Sequence, residues 1–420
     1  MQIKAQTASL LRRLERFTKT DMVYLASGGF WLSLEQIILG LLAFGVSVAF
    51  AHYVSAETYG TYRFLLSLFW TLAAFSLTGI PTAVNRAVAK GEEGAYRQAI
   101  PLSFLGALPM SLVAGTIALY YFLANNYVLG WGAVAMCVIA PFFQASYLFG
   151  SVLEGRRDFK KTAIFGVILN LVPALSLLAV MQFAKSPFSF FLTYLLSNTI
   201  MASLLTALIF RFDRPNNTKS TEVKNLGWHM SVLNIIGTIA GQLDQLLIYH
   251  FIGAPELAMY SFATAIPDQL KSMATNIGNL AFPKLVVRNI RDIQSSMVRR
   301  MAMLTLVFAL GTVFYVWFAP SFFHVFFPAY ERSIFYSQLY AMSLITISAI
   351  IPTTVLQAHA AKRELYIFNV STAVVQIISS FAGVFLYGLI GLILARAFSR
   401  FFNLFMSTIL VKRYEKRMRK

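Results

Sequence analysis

Apolar runs of about twenty residues alternate along the whole chain with short polar breaks. A helix crossing the hydrocarbon core of a bilayer needs roughly 20 predominantly apolar residues. Twelve such runs can be read, at about 28–52, 60–82, 100–123, 128–151, 162–182, 188–210, 228–252, 259–282, 301–320, 334–357, 366–387 and 389–411. The pattern predicts an all-α integral membrane protein with twelve transmembrane helices. The last two runs are divided only around Gly388. The first is too long for the apolar part of a signal peptide and follows a basic amphipathic start, so it reads as a true span. Composition agrees: 58% of residues are hydrophobic, 12% are charged and the mean hydropathy is +0.66. A soluble surface needs about twice that share of charge, which excludes a soluble globule, a disordered chain and a disulfide scaffold. The single cysteine, Cys137, can form neither an internal disulfide nor a thiolate metal site.

The net charge of +18 changes meaning once its distribution is followed. The N-terminal segment, every second loop and the C-terminal tail together hold 29 of the 35 Lys and Arg, whereas the opposite loops hold only Lys185 and Arg332. This asymmetry predicts an even number of spans and both termini in the cytoplasm, in a cell (inner) membrane. The charge therefore records topology and contact with anionic lipids, and nucleic acid is not needed as a partner. Two basic segments are amphipathic at helical spacing and are expected to lie in the headgroup plane. One places Leu10, Leu11, Leu14 and Phe17 on a single face, and the other does the same with Ile290, Ile293 and Met297.

Offsetting the chain by 198 residues lays 29–90 on 227–288 without a gap and gives 11 identities in 62 positions. Apolar composition alone supplies about half of these by chance, so their placement carries more weight than their number. The outer turn HYVSAETYGTYRF falls on HFIGAPELAMYSF, and Arg86 falls on Lys284. Six spans per half, both halves starting on the same side, make a parallel repeat with its pseudo-two-fold axis along the membrane normal. The expected organisation is an N-lobe at 1–212, a polar cytoplasmic linker at 213–225 and a C-lobe at 226–420.

The stretches AHYVSAETYGTYRF and LTGIPTAVNRAVAKGE, echoed by LDQLLIYHFIGAPELAMYSFA in the second half, resemble the polysaccharide-biosynthesis flippases. These are the O-antigen and capsule repeat-unit exporters of the multidrug/oligosaccharidyl-lipid/polysaccharide superfamily. Twelve spans and a six-plus-six repeat extend the resemblance over the whole chain. It implies a V-shaped pair of lobes working by alternating access, a lipid-linked oligosaccharide as substrate, and other polysaccharide-assembly proteins as partners.

Charges inside spans are costly, about 3 kcal/mol each on insertion scales, and they face a cavity or one another. The cavity candidates are Arg396, Arg400, Lys271, Arg63 and Arg86, with Gln36 and Gln242 as neutral partners. A polyprenyl pyrophosphate needs fixed donors in place of water, and the planar fork of Arg suits phosphate oxygens. Asn170, Asn198, Asn234, Gln376 and the many tyrosines offer hydroxyl partners and flat faces to sugars. Glu35, Asp244 and Asp268 are the coupling or gating candidates, for H⁺ or Na⁺ exchange. Two bland alternatives stand beside these: Asp268 and Lys271 neutralise each other at i,i+3, or Arg396 bridges to Asp244 or Glu35. The five histidines lack metal-ligand spacing, and no metal or cofactor is expected. Pro81, Pro141, Pro173, Pro267 and others interrupt spans and kink them.

The competing functions are an ion-coupled multidrug or small-molecule exporter of the same superfamily and, from a different class, a membrane enzyme of polysaccharide assembly. A polymerase is expected to carry a large outer loop and an acyltransferase a histidine deep in a span. The sequence has neither, nor a Gly-rich phosphate loop, so an enzyme is not expected. Reporter fusions at Lys219 and Lys420 are expected to report cytoplasm and one near Asn126 the outside; an external Lys219 would overturn the repeat.

Overall fold

The computed structural model describes residues 22–286, 290–359 and 361–418, with side chains placed at 28–275, 297–359 and 361–418. The amphipathic N-terminal segment, and most of the one between spans 8 and 9, lie outside the residues whose side chains are described. Among the described residues the chain is helical apart from short connections. In order, the elements are α1 (Met22–Tyr53), α2 (Ala56–Phe75, bent into Ile80–Ala89), α3 (Ala95–Leu123), α4 (Tyr127–Gly155), α5 (Phe159–Phe183) and α6 (Pro187–Asp213). Then come α7 (Val223–Phe251), α8 (Ala254–Val286), α9 (Ile290–Phe326), α10 (Ser333–Ala358) and the long Lys362–Met418 helix.

That last helix is in fact two. Gly388 has φ +58° and ψ −130°, a conformation side-chain-bearing residues rarely adopt. It folds 362–387 (α11) back against 389–418 (α12). A Cβ on Gly383 would overlap the backbone of Gly391, and the reverse holds too, so the two helices touch backbone to backbone. Ser379 and Ser399 meet lower down at 3.2 Å. Among the described residues nine helices are long and apolar enough to cross a membrane, and the bent α2 makes ten. Dividing the long helix at Gly388 adds another. α8, which holds Asp268, Gln269 and Lys271, is more polar and is not among them. The twelve runs in the sequence thus correspond to twelve helices.

Local chemistry sets the element starts. Ser55 Oγ accepts from Thr58 N–H to open α2, Asn126 Oδ1 caps α4 and Asp158 Oδ1 caps α5. The repeat keeps its register in three dimensions. α1 ends at Tyr53 and α7 at Phe251, while α2 opens at Ala56 and α8 at Ala254, each pair offset by 198. The 63° bend in α2 falls at Gly79, whose N–H donates to Ser231 Oγ at 2.9 Å. A Cβ at Gly79 would strike the α7 backbone at Gly227 and Ser231.

The contacts divide the chain into two compact units. One is Ile37–Met259; the other is Tyr260–Lys420 with the start of α1 up to Gln36. The division does not fall in the 213–225 linker, because α7 packs against α2 through Gly79. The linker itself is fastened within the first unit. Arg156 donates twice to Glu93, at 2.6 and 2.8 Å, and once to the Asp213 carbonyl, while Lys161 pairs with the Asp213 carboxylate. Arg97 donates to Asn217 Oδ1 at 2.7 Å, and Lys90 pairs with Glu222 at 2.9 Å. The Arg156 hydrogen bonds hold the Glu93 carboxyl below its usual range against the opposing effect of burial.

Gly391→Leu is expected to lower stability by about 1–3 kcal/mol, since overpacking here must force α11 and α12 apart. Thermal unfolding of the purified protein in detergent measures it; an unchanged melting temperature would refute the backbone contact.

Candidate functional site

The second unit buries a charged cluster. Arg396 and Arg400 stand one turn apart on α12 and so share a face. Asp268 of α8 lies between them. Arg396 Nη2 reaches Asp268 Oδ2 at 3.0 Å, and Arg400 pairs with Oδ1. Tyr340 of α10 donates to the same Oδ1 at 2.8 Å. Arg400 lies over the Tyr340 ring, 4.3 Å from its centre, and donates to Ser343 Oγ at 2.8 Å. Arg396 donates to Tyr260 OH at 2.6 Å. Tyr260, Tyr340 and Arg400 are all buried. The carboxylate is therefore shared between two guanidiniums, and the alternative i,i+3 ion pair of Asp268 with Lys271 is not formed among the described residues.

Lys271 instead borders a cavity of about 170 Å³, which Arg400, Thr275, Thr346, Thr353 and Asn403 also line. Lys271 makes no ion pair among the described residues. Thr275 and Thr353 spend their hydroxyl protons on helix carbonyls, at 3.0 and 2.9 Å. Asn403 Oδ1 is buried with no hydrogen-bond partner among the described residues. A stretch of α10, Met342–Ala349, tightens into 3₁₀ helix and carries Ser343 to Arg400 and Thr346 to the cavity wall.

The first unit holds a different kind of site. A cavity of about 430 Å³ is bordered by Arg63, Gln242, Gln245, Asn170, Asn198 and Trp70. Arg63 Nη2 donates to Gln245 Oε1 at 3.2 Å, and Gln245 Nε2 donates to Gln242 Oε1 at 3.2 Å, which makes a short relay. Tyr147 OH donates to Asn198 Oδ1 at 2.8 Å. Asp244 is 1% exposed, accepts the Gln245 N–H at 3.0 Å and does not border this cavity.

Of the residues picked out by sequence, Arg396, Arg400 and Asp268 come together with Lys271 near them, and Arg63 is linked to Gln242 through Gln245. Arg86 is exposed in the last turn of α2, at the end bearing the basic loops. Glu35 and Gln36 are half-buried on α1 and border neither cavity. Sequence reasoning missed Tyr340, Ser343 and Trp70. Trp70 left one signal: under the 198-residue offset it occupies the position of Asp268. The backbone repeats while the chemistry does not, neutral in one half and ionic in the other.

A sequence profile of the family described as polysaccharide biosynthesis protein matches residues 25–286. The chain belongs to this family. Its fold is shared with solved transporters at low identity. The lipid II flippase MurJ, in an inward closed conformation, superposes with a TM-score of 0.65 at 13% identity over 90% of this chain and 87% of that one. A MATE transporter in complex with MaD5 gives 0.63 at 12%, covering 95% and 98%. A MOP superfamily transporter from Pyrococcus furiosus Vc1 gives 0.62 at 12%, covering 94% and 96%. A search of curated proteins returns no match. The family member described here is thus a multi-pass membrane protein with the fold of these transporters.

Removing one partner of a buried ion pair costs about 3–5 kcal/mol, because the other charge is left uncompensated. Asp268→Asn is therefore expected to lower thermal stability by about that much, and Lys271→Gln to leave it nearly unchanged. Equal losses in detergent-solubilised protein would refute this division of roles.

Proposed function

We propose that the protein is a flippase that moves a polyprenyl-pyrophosphate-linked oligosaccharide from the cytoplasmic to the outer leaflet by alternating access. The observation that carries this reading is the cation at the cavity of the second unit. Lys271, which makes no ion pair among the described residues, borders that cavity together with Arg400, inside an apolar bundle. A cation in a membrane interior is expensive unless an anion offsets it. Lys271 supplies a point charge, Arg400 a fixed fork, and the threonines and Asn403 further polar contacts for phosphate oxygens. Membership in a polysaccharide biosynthesis family supports the glycan portion of the cargo. A cation exporter would instead want a carboxylate on the cavity wall, and Asp244 borders neither cavity described above.

The test uses proteoliposomes carrying the polyprenyl-linked oligosaccharides extracted from the source cells, with outer-leaflet glycan read by periodate consumption. Wild-type protein is expected to deliver glycan to the outer leaflet. Lys271→Gln, folded and stable, is expected to slow delivery at least tenfold, and added polyprenyl pyrophosphate to compete where polyprenol does not. Undiminished delivery by a Lys271→Gln, Arg396→Gln double variant would dispose of the reading.

A further inference from the structure

The first unit contains a second cavity, of about 630 Å³, that meets the Arg63 cavity at Trp70 and Gln242. The Arg63 cavity starts at Phe50 and Tyr59, beside the α1–α2 turn; the second extends to Glu154, near the basic loops. One face of α2 runs along both. Tyr59, Tyr62, Leu66, Trp70 and Ala73 recur at helical spacing, a stretch of about 21 Å at 1.5 Å per residue.

Three glycines border the second cavity: Gly150 on α4 and Gly237 and Gly241 on α7. A Cβ on any of them would meet nothing within 4 Å. Glycine inside a helix is less stable than alanine, so a helical glycine that touches nothing is not explained by close packing. Open glycines also occur at Gly45 and Gly311, so openness alone decides nothing. Here three of them border one crevice whose remaining wall sets amides and hydroxyls among aromatic faces, and there they preserve its width.

The chemistry of the two cavities is mostly neutral. Arg63 stands in one and Glu154 in the other, the latter already accepting from Asn85 at 2.9 Å. Between them lie amides and hydroxyls, among them Gln144, Thr238, Gln242 and Ser151, and the faces of Trp70 and Tyr147. Gln242 Oε1 is taken by Gln245, and its NH₂ has no partner among the described residues. Trp70 is held edge-on by Phe69 and Phe143, at 5.4 and 5.9 Å. A wall of this kind, amides and hydroxyls among aromatic faces, does not suit concentrated charge. It matches a polyol ring, whose hydroxyls bond to amides while its C–H face lies on an aromatic ring.

We propose that the two cavities form one glycan track, with Trp70 as the stacking platform at their junction and the three glycines holding the second compartment open. The proposal rests on the lipid-linked oligosaccharide reading above, and it assigns the sugar chain to these cavities of the first unit.

The test plugs the track. Gly241→Leu, with Gly237→Leu as a second variant, puts a branched side chain into open space, so the melting temperature should hold or rise. In the proteoliposome assay, glycan delivery is expected to fall at least tenfold. Sugar-free polyprenyl pyrophosphate should still raise the melting temperature as it does for wild-type protein. Full delivery by both leucine variants would overturn the track, and so would loss of the pyrophosphate response along with delivery. If neither variant folds, Trp70→Ala with Gln242→Ala must show the same selective loss, or the proposal falls. Wild-type protein that delivers no glycan would instead sink the parent reading.

Discussion

Asp268 shares its carboxylate between two arginines, and the arrangement of the second unit follows from that sharing. Around that carboxylate stand the Tyr340 and Tyr260 rings beneath the guanidiniums, Ser343 at the Arg400 fork, and a 3₁₀ stretch in α10 that brings Tyr340 and Ser343 within reach. Because the acid is occupied, Lys271 is left without an ion pair among the described residues, next to a polar cavity. A structural knot and an available cation are thus produced by the same geometry.

The hydrophobic pattern made the architecture legible. Twelve apolar runs became twelve helices, and the weakest division, at Gly388, proved to be a helical hairpin fixed by a positive φ and a glycine contact. The 198-residue repeat was legible too, down to the residues where α1, α2, α7 and α8 end or begin. The partition into compact units was not, because it depends on which helix packs against which. The close approach of Gly79 to Gly227 leaves no periodic mark in a chain that is 58% hydrophobic.

The site was legible in kind but not in pairing. Ionisable residues in an apolar run announce themselves, so Asp268, Arg396 and Arg400 were found. Their partners were not, since Tyr340 and Ser343 lie more than fifty residues away on α10 and belong to common residue types. Sequence proximity offered Lys271 as an alternative partner of Asp268. The structure shows why proximity misleads here: two guanidiniums with better geometry reach the carboxylate from another helix. Trp70 escaped notice because a tryptophan in a membrane helix needs no special reason; its position opposite Asp268 in the repeat is what gives it meaning.

The fastening of the linker has a practical consequence for anyone engineering this protein. Its most polar stretch looks like the natural place for an affinity tag, a fluorescent insert or a split site. Yet Asn216 gives its backbone N–H to Glu93 and its side-chain amide to the Gly91 carbonyl, and Ser220 bonds back to Gln98. An insert there would strip several loops of their hydrogen bonds at once. The short turn at Lys185, exposed and outside any helix, is the less disruptive address.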